Sequence, residues 1–365
     1  MELYVFDRNL NRLGMIDKFE SFIWNRKACD VGEFELHCFV DKDIVSLIEK
    51  DNIIVKSNDL TECAYIENKY FDEDNEGKET LKVTGSFVSN YIDRRIIWNT
   101  EIINDTIENT IRKLIDNNCI TTDEQRVIPF LVLGKLRGYL EEVNYQVSYK
   151  NLKEEIVKLI KDKDLNFRII TDLKNKVHEF DIYKGVNRTA SQNTNPNCIF
   201  CKEFENVHEQ SYTYASDDYR NLAKIGGEGE GDARVFTIIG ESTGFDRREL
   251  FIDAKDIKSK DNNDIELSGE AYIEFIKQRG FEKLSEYNEV RNFESKINVT
   301  NSNLLYKKDF DLGDIVTCIN EKWGVVIDVK IIEIEEVYEK DGFEINIKFG
   351  EKIPTLIDKI KTRME

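Results

Sequence analysis

The chain has 365 residues, with 52 Lys plus Arg against 71 Asp plus Glu, and its net charge of −19 is spread along the sequence instead of forming a tail. That length suits about two or three domains with cores of their own, and that sign argues against a protein that wraps nucleic acid, which must replace the counterions on phosphate. The seven cysteines are an odd count, the start MELYVFDRNL lacks the basic-then-apolar order of a signal peptide, and no apolar stretch nears the ~18 residues of a membrane span, so the expectation is synthesis in a reducing cytoplasm, free thiols and no membrane span.

The chain reads as mostly β with a few helices. GEFELHCFV (32–40) puts Phe34, Leu36, Cys38 and Val40 on one face and Glu33, Glu35 and His37 on the other, the period of a half-buried strand. YIENKYFDEDNEGKETLKVTG (65–85) reads as strand, acidic turn, strand. Its DEDNEG stretch begins like a calcium loop at Asp72, Asp74, Glu76 and Gly77, but the closing glutamate position is Val83 and the flanks are strands. NDTIENTIRKLIDNN (104–118) is an amphipathic helix with Ile107, Ile111, Leu114 and Ile115 on one stripe and a capping box from Asp105 to Glu108. KNLKEEIVKLIKD (150–162) repeats the device with Asn151 and Glu154, facing Leu152, Ile156, Leu159 and Ile160 inward. A third helix runs through GEAYIEFIKQRG (269–280), with Gly280 as its C-cap. In 324–350 the dipeptide Asp341-Gly342 suits a tight turn. Phe343, Ile345, Ile347 and Phe349 alternate after it, and the slipped alternation at Ile331-Ile332 predicts a bulge. No helix–strand alternation of the doubly wound kind is present, which leaves a β-rich α+β class.

The chemical motifs fail one by one. KIGGEGEGDARVF (224–236) carries Gly226, Gly227, Gly229 and Gly231, yet it lacks the Lys-Ser/Thr of a P-loop, and Glu228, Glu230 and Asp232 would repel a phosphate. GESTG (240–244) matches a nucleophile elbow, but a strand follows where a helix is required, and the last histidine, His208, precedes Ser242. CIFC (198–201) is a single pair, and in a strand Cys198 and Cys201 point to opposite faces, so buried thiols are expected and no metal. Paired carboxylates remain as the enzymatic option, and among 71 acidic residues the sequence singles out no pair. The residues alone stop at an acidic, β-rich, multidomain protein with no catalytic, metal or cofactor site.

The order of short blocks takes the reading further. FIWNRKACDVGEFELHC, LKVTGSFVSNYIDRRII, IYKGVNRTASQ followed by IFCKEFENV, NLAKIGGEGEGDAR, GFDRRELFIDAKDI and DFDLGDIVTCIN run from residue 22 to residue 320. Together they resemble the ReqiPepy-type siphophage tail protein family, with departures at Asn187, Cys201 and Val207, where that family more often has Asp, Ser and Leu.

The resemblance implies a tail-hub-like fold. Small β-barrel domains at 1–97 and 293–350 would flank α+β domains at 98–185 and 186–292, the latter holding the glycine block, with a tail at 351–365. It implies a structural hub at the tail tip or baseplate of a phage, or of a phage-tail-like particle such as a bacteriocin. Made in the bacterial cytoplasm, it would form a homotrimeric ring joining the tail tube (through a distal tail or tube-initiator protein) and the tape-measure protein to tip, spike or receptor-binding proteins, without stable DNA binding. The alternatives are a tail-associated cell-wall hydrolase and a glycan- or receptor-binding tail protein. The residues expected at structural or interface positions are Gly226, Gly227, Gly229, Gly231, Arg234, Arg188, Arg247, Gly313 and Asp314. Positive φ is expected at Gly227 and Gly229, Glu228→Gln is expected to be nearly silent, and Phe34, Leu36, Val40, Phe343, Ile345 and Ile347 are expected in the core.

Overall fold

The computed structural model describes residues 1–161, 163–260, 266–297, 304–340 and 342–350. The first third of the chain holds β1 (Leu3–Phe6), β2 (Arg12–Ile16), β3 (Ser21–Lys27), β4 (Glu33–Phe39), α1 (Lys42–Leu47), β5 (Ile53–Lys56), β6 (Asp59–Glu73) and β7 (Glu79–Phe87). The middle holds β8 (Glu101–Thr106), α2 (Ile107–Ile115), β9 (Leu131–Leu133), β10 (Glu142–Val147), α3 (Leu152–Ile160), β11 (Leu165–Asp172) and β12 (Val177–Lys184). Then come β13 (Ile199–Cys201), β14 (Val207–Ala215), β15 (Leu222–Gly226), β16 (Phe236–Ile239), β17 (Glu249–Asp253), α4 (Gly269–Leu284), β18 (Val290–Ile297), β19 (Ile315–Asn320), β20 (Val325–Glu339) and β21 (Gly342–Gly350).

Strands from both ends of the chain form one sheet in the order β14-β18-β21-β20-β3-β4-β7-β6-β5-β1-β2, with β19 on β20 and β13 on β19. The two ends join where β20 lies antiparallel to β3, from Glu333 opposite Lys27 to Glu339 opposite Ser21. The path is open at β14 and β2. Among the described residues no pairing closes it, or either half of it, into a barrel, and β20 is shared between strands from the two ends of the chain, β3 and β21. Smaller sheets, β10-β8, β11-β12-β9 and β16-β15-β17, are built from the middle of the chain. The β-rich α+β class is therefore observed.

In β4, Phe34, Leu36 and Cys38 are buried while Glu33 and Phe39 are exposed, as the alternation requires. Val40 lies just past the strand end and is half-buried, as is Phe343; Ile345 and Ile347 are buried. All four residues of β5 are buried, because the strand is covered on both faces. Ile54 belongs to the core that holds Phe22, Trp24 and Leu36, whereas Ile53 and Val55 belong to the one that holds Ile111 of α2 and Ile156 of α3. The bulge falls where the alternation slips, between Ile331 and Glu333. Asp341 of the adjoining turn lies outside the described residues.

The helices need three corrections. The N-cap of α2 is Thr106, whose hydroxyl accepts the Asn109 amide; Asp105 instead accepts the Thr106 amide and the Asn109 side chain. Glu108 does not complete a capping box. It is buried and accepts the amides of Arg137, Gly138 and Tyr139 at 2.6, 2.8 and 2.9 Å. Gly280 is not a C-cap, since α4 runs on to Leu284. A Cβ there would lie 2.2 Å from Ile225 Cδ1, so the glycine lets α4 settle on β15. Asn151 caps α3 as the sequence indicates, accepting the Glu154 amide at 3.0 Å.

Candidate functional site

The glycine block joins β15 to β16. Gly229 and Gly231 have φ of +103° and +53°, where a side chain is strained. Gly227 is not in that region. Its constraint is space, because a Cβ would come 2.6 Å from the Tyr272 hydroxyl. That hydroxyl accepts the Glu228 amide at 2.6 Å and donates to the Ile257 carbonyl at 3.1 Å, tying the loop to α4. Gly226 is bare so that the Arg234 guanidinium can lie across it, with the nearest guanidinium atoms 2.6 Å from a Cβ built there. Arg234 donates to the carbonyls of Gly226 (2.8 Å) and Gly227 (3.1 Å) and pairs with Asp253 at 2.7 Å. The Gly227 amide goes to Val235 and the Glu228 amide to Tyr272, so neither is free to cradle an anion.

Glu228 is more than a solvated side chain. Its Oε2 accepts the Ser259 hydroxyl (2.8 Å) and amide (3.1 Å), and these bonds, the hydroxyl foremost, hold its carboxyl below the ordinary range.

Arg188, Gly313 and Asp314 come together at a second backbone crossing. A Cβ on Gly185 would strike the Gly313 carbonyl oxygen at 1.9 Å, and Gly313 itself has φ +91°. Asp314 is buried. It accepts the Val186 amide (2.7 Å), the Asp311 amide (3.0 Å) and Arg188 Nε (2.9 Å), and Arg188 N–H donates to the Ile315 carbonyl (2.7 Å). The oxygen of Asn187 accepts the Thr189 amide at 3.1 Å, a bond that aspartate would make equally. Arg247 stands apart in the loop before β17, paired with Glu249 and bonded to the Ser242 carbonyl. The Ser242 hydroxyl accepts the Asn221 side-chain amide at 2.9 Å. Cys198 and Cys201 are both buried, the latter donating to Glu203.

One cluster escaped the sequence reading. The sheet curls so that Lys56, at the end of β5, meets Glu336 on β20; both are about 1% exposed in their side chains. Glu336 also accepts the hydroxyls of Tyr306 (2.8 Å) and Tyr338 (2.6 Å), and Lys56 Nζ lies 5.1 Å from the centre of the Trp24 ring. Beside them Arg26 pairs with Glu62 (2.6 Å) and Asp311 (2.5 Å) and donates to Tyr306 (2.9 Å). Burial pushes the Lys56 pKa down, and the attraction of Glu336 does not restore it. For Arg26 the opposite holds: Glu62, Tyr306 and Asp311 outweigh burial and raise its pKa. The available signal was phase. Lys56 shares a strand face with Ile54, and Glu336 shares one with Ile334.

None of these residues lines the groove of about 390 Å³ between α3 and the end of α4, where Lys158, Arg220, Phe281 and Glu282 meet. Among the described residues no group of His, Cys, Asp and Glu side chains could hold a metal ion. No helix among them is long and apolar enough to cross a membrane.

The sequence profile of the family described as Siphovirus ReqiPepy6 Gp37-like protein matches residues 2–351. The fold is similar to that of the 43 kDa tail protein of prophage MuSo2 from Shewanella oneidensis, at 12% identity and a TM-score of 0.58 over 96% of this chain and 98% of that one. It is also similar to prophage tail protein gp18 from Listeria monocytogenes EGD-e (12% identity, TM-score 0.56, 100% and 98% covered). A third similar structure is a tail protein from Neisseria meningitidis MC58 (10%, 0.58, 96% and 97%). No curated protein matches the sequence.

Proposed function

The chain belongs to the Siphovirus ReqiPepy6 Gp37-like protein family, and from that membership we propose that it is a structural hub at the tail tip or baseplate of a phage or tail-like particle. The observation that carries the reading is that the residues of the family-like blocks serve backbone joints. Gly226 and Arg234 clamp one end of a sheet, and Gly185, Arg188, Gly313 and Asp314 clamp the crossing of two distant segments. Residues so engaged hold a shape; none is turned toward a reaction centre. On this reading the protein is not an enzyme, and it is made in the bacterial cytoplasm and carried in the particle.

Three copies form a ring that joins the tail tube and tape-measure protein to tip, spike or receptor-binding proteins. Two barrel-like units, 1–97 and 293–350, line that ring, with 98–185 and 186–292 splayed outward. The separate apolar cores around Trp24 and around Phe349 favour this division.

The test is particle composition. Mass spectrometry of purified particles should find the chain at a ratio of three per tail, and deletion of its gene should stop tail assembly. Particles that assemble normally without it would refute the hub. The hydrolase reading predicts peptidoglycan clearance in a zymogram that a single Asp or Glu substitution abolishes.

A further inference from the structure

The small sheet β16-β15-β17 is covered on one face only. Ala223, Ile225, Ile239 and Ile252 pack under α4 against Tyr272 and Ile276. The other face presents Phe236, Ile238 and Phe251, which are 44%, 55% and 55% exposed. The register sets Lys224 directly between Ile238 and Phe251. Lys224 Nζ lies 4.7 Å from the centre of the Phe236 ring, and the Arg234 guanidinium lies 5.5 and 5.6 Å from Phe236 and Phe251. Arg234 is paired with Asp253, but Lys224 makes no ion pair among the described residues. This is an exposed apolar surface, built on the glycine block that lets Arg234 lie down; its carboxylates Asp253 and Glu249 are taken up by Arg234 and Arg247, which leaves Lys224 as the unpaired charge among the described residues, on a chain of net charge −19.

The complementary surface is on the same chain. Beyond Tyr65 strand β6 loses its β5 partner, and the outer β6–β7 hairpin, 67–79, is exposed along its length. Tyr70 and Phe71, each 54% exposed, point to opposite faces, so either face offers an aromatic ring. The tip carries Asp72, Glu73, Asp74 and Glu76, with Lys78 drawn aside to Glu20 at 3.5 Å.

Two copies that each carry −19 repel over most of their surfaces. They attract where a cationic apolar patch meets an acidic aromatic arm. We propose that the open face of β16-β15-β17 receives the outer β6–β7 hairpin of a second copy of this chain. The patch and the arm are different surfaces, so the contact is head-to-tail, the kind that closes into a ring. The contact rests on the reading of the chain as a self-assembling tail component.

Sedimentation velocity on the full chain, across concentration and at low and high salt, tests it. The wild type should self-associate, less so at high salt. Lys224→Glu should weaken association by about tenfold or more, and so should Asp72→Lys with Glu73→Lys. All three positions are exposed, and unchanged melting curves would show that the variants fold. Mixing the two variants should restore pairs, since each supplies the half that the other lacks. A monomeric wild type, variants that associate like the wild type, or a mixture that stays monomeric would each overturn the contact. Finding the chain in tail particles although it sediments as a monomer would overturn this contact and leave the tail reading standing. Its absence from particles, with the association pattern intact, would do the reverse.

Discussion

Replacing Lys56 by Met removes the cation paired with Glu336 while keeping the volume of the side chain. Glu336 would then be a buried carboxylate held by the hydroxyls of Tyr306 and Tyr338, with Lys307 attracting it without a direct bond. Breaking a buried ion pair from one side costs about 3–5 kcal/mol. The two tyrosine donors remain, so the lower end, about 3 kcal/mol, is expected. For a cooperative unit of about 150–250 residues that lowers Tm by about 6–12 °C. Glu336→Gln should cost a comparable amount, because it leaves the Lys56 ammonium unpaired beneath the Trp24 ring. The double variant should recover to within about 1 kcal/mol of the wild type, since the amide oxygen still accepts from one tyrosine, the amide N–H can donate to the hydroxyl oxygen of the other, and no charge is buried alone. Urea unfolding of the four proteins gives the coupling directly. Additive losses would mean that the pair is not coupled, and the account of how the two ends of the sheet are joined would fall.

Truncating Leu36 or Ile345 to Ala should each destabilise by about 2–5 kcal/mol in chemical unfolding, and an unchanged midpoint would contradict their burial. Gly227→Val and Gly229→Val should impair folding or assembly, the first by collision with Tyr272 and the second through φ, whereas Glu228→Gln, which keeps one acceptor for Ser259, should cost no more than about 1 kcal/mol; soluble yield and melting temperature decide it. Burial raises the Glu282 carboxyl to about 7, with Arg279 and Gln278 opposing and Glu155 reinforcing the rise. The folded chain therefore holds that proton more tightly than the unfolded chain does, and the stability this contributes is full below the ordinary value and lost as pH rises to about 7. Glu282→Gln should then be more stable than the wild type at pH 8 by about 2–3 kcal/mol and nearly equal to it at pH 5; parallel stability curves would show that Glu282 titrates normally. The proposed trimer would carry −57, three times −19, and should not retain duplex DNA at physiological salt in a filter-binding assay; retention would overturn the expectation that the chain forms no stable complex with DNA.

What the sequence made legible follows from where water lies. The strand at 33–39 could be read because one face is wet, so its alternation survives in the residues. The bulge at Ile331 could be read because only an extra residue breaks a period of two. Strand β5 offers no such contrast, since both of its faces are dry and Ile53–Val55 is simply apolar. Thr106 and Asp105 are adjacent and both are able to cap, so the first turn of α2 was misplaced by one residue. Gly280 gives the same signal as a C-cap, and only the position of Ile225 reveals its reason. The glycine block was visible as a place of close approach. Its partners Tyr272 and Ser259 lie some 30–45 residues onward, a pairing that no local pattern encodes. The charge cluster was hidden by abundance: among 71 acidic residues, one glutamate in phase with an isoleucine does not stand out.

The Lys56–Glu336 pair also explains why a charge that burial disfavours is kept where the ends of the chain meet. Strand β20 must find β3 across about 300 residues of intervening chain, and Asn25 bonding Glu333 spans 308 positions. Such pairing is slow to form and easily misregistered. Both strands carry apolar residues on either face near the join, Ile23 and Trp24 on β3 and Ile334 and Val337 on β20, so hydrophobic pattern alone discriminates weakly between neighbouring registers. A slip of one residue would turn Glu336 away from Lys56 and bring Val337 to it. That register buries an unpaired ammonium and strips the Tyr306 hydroxyl of its acceptor, while Tyr338, on β20 itself, moves with Glu336. A buried ion pair adds little net stability over a well-packed apolar pair of the same volume, and at Lys56 burial outweighs the attraction of Glu336. The effect of the pair is to raise the energy of the wrong registers, which fixes the alignment of β20 on β3.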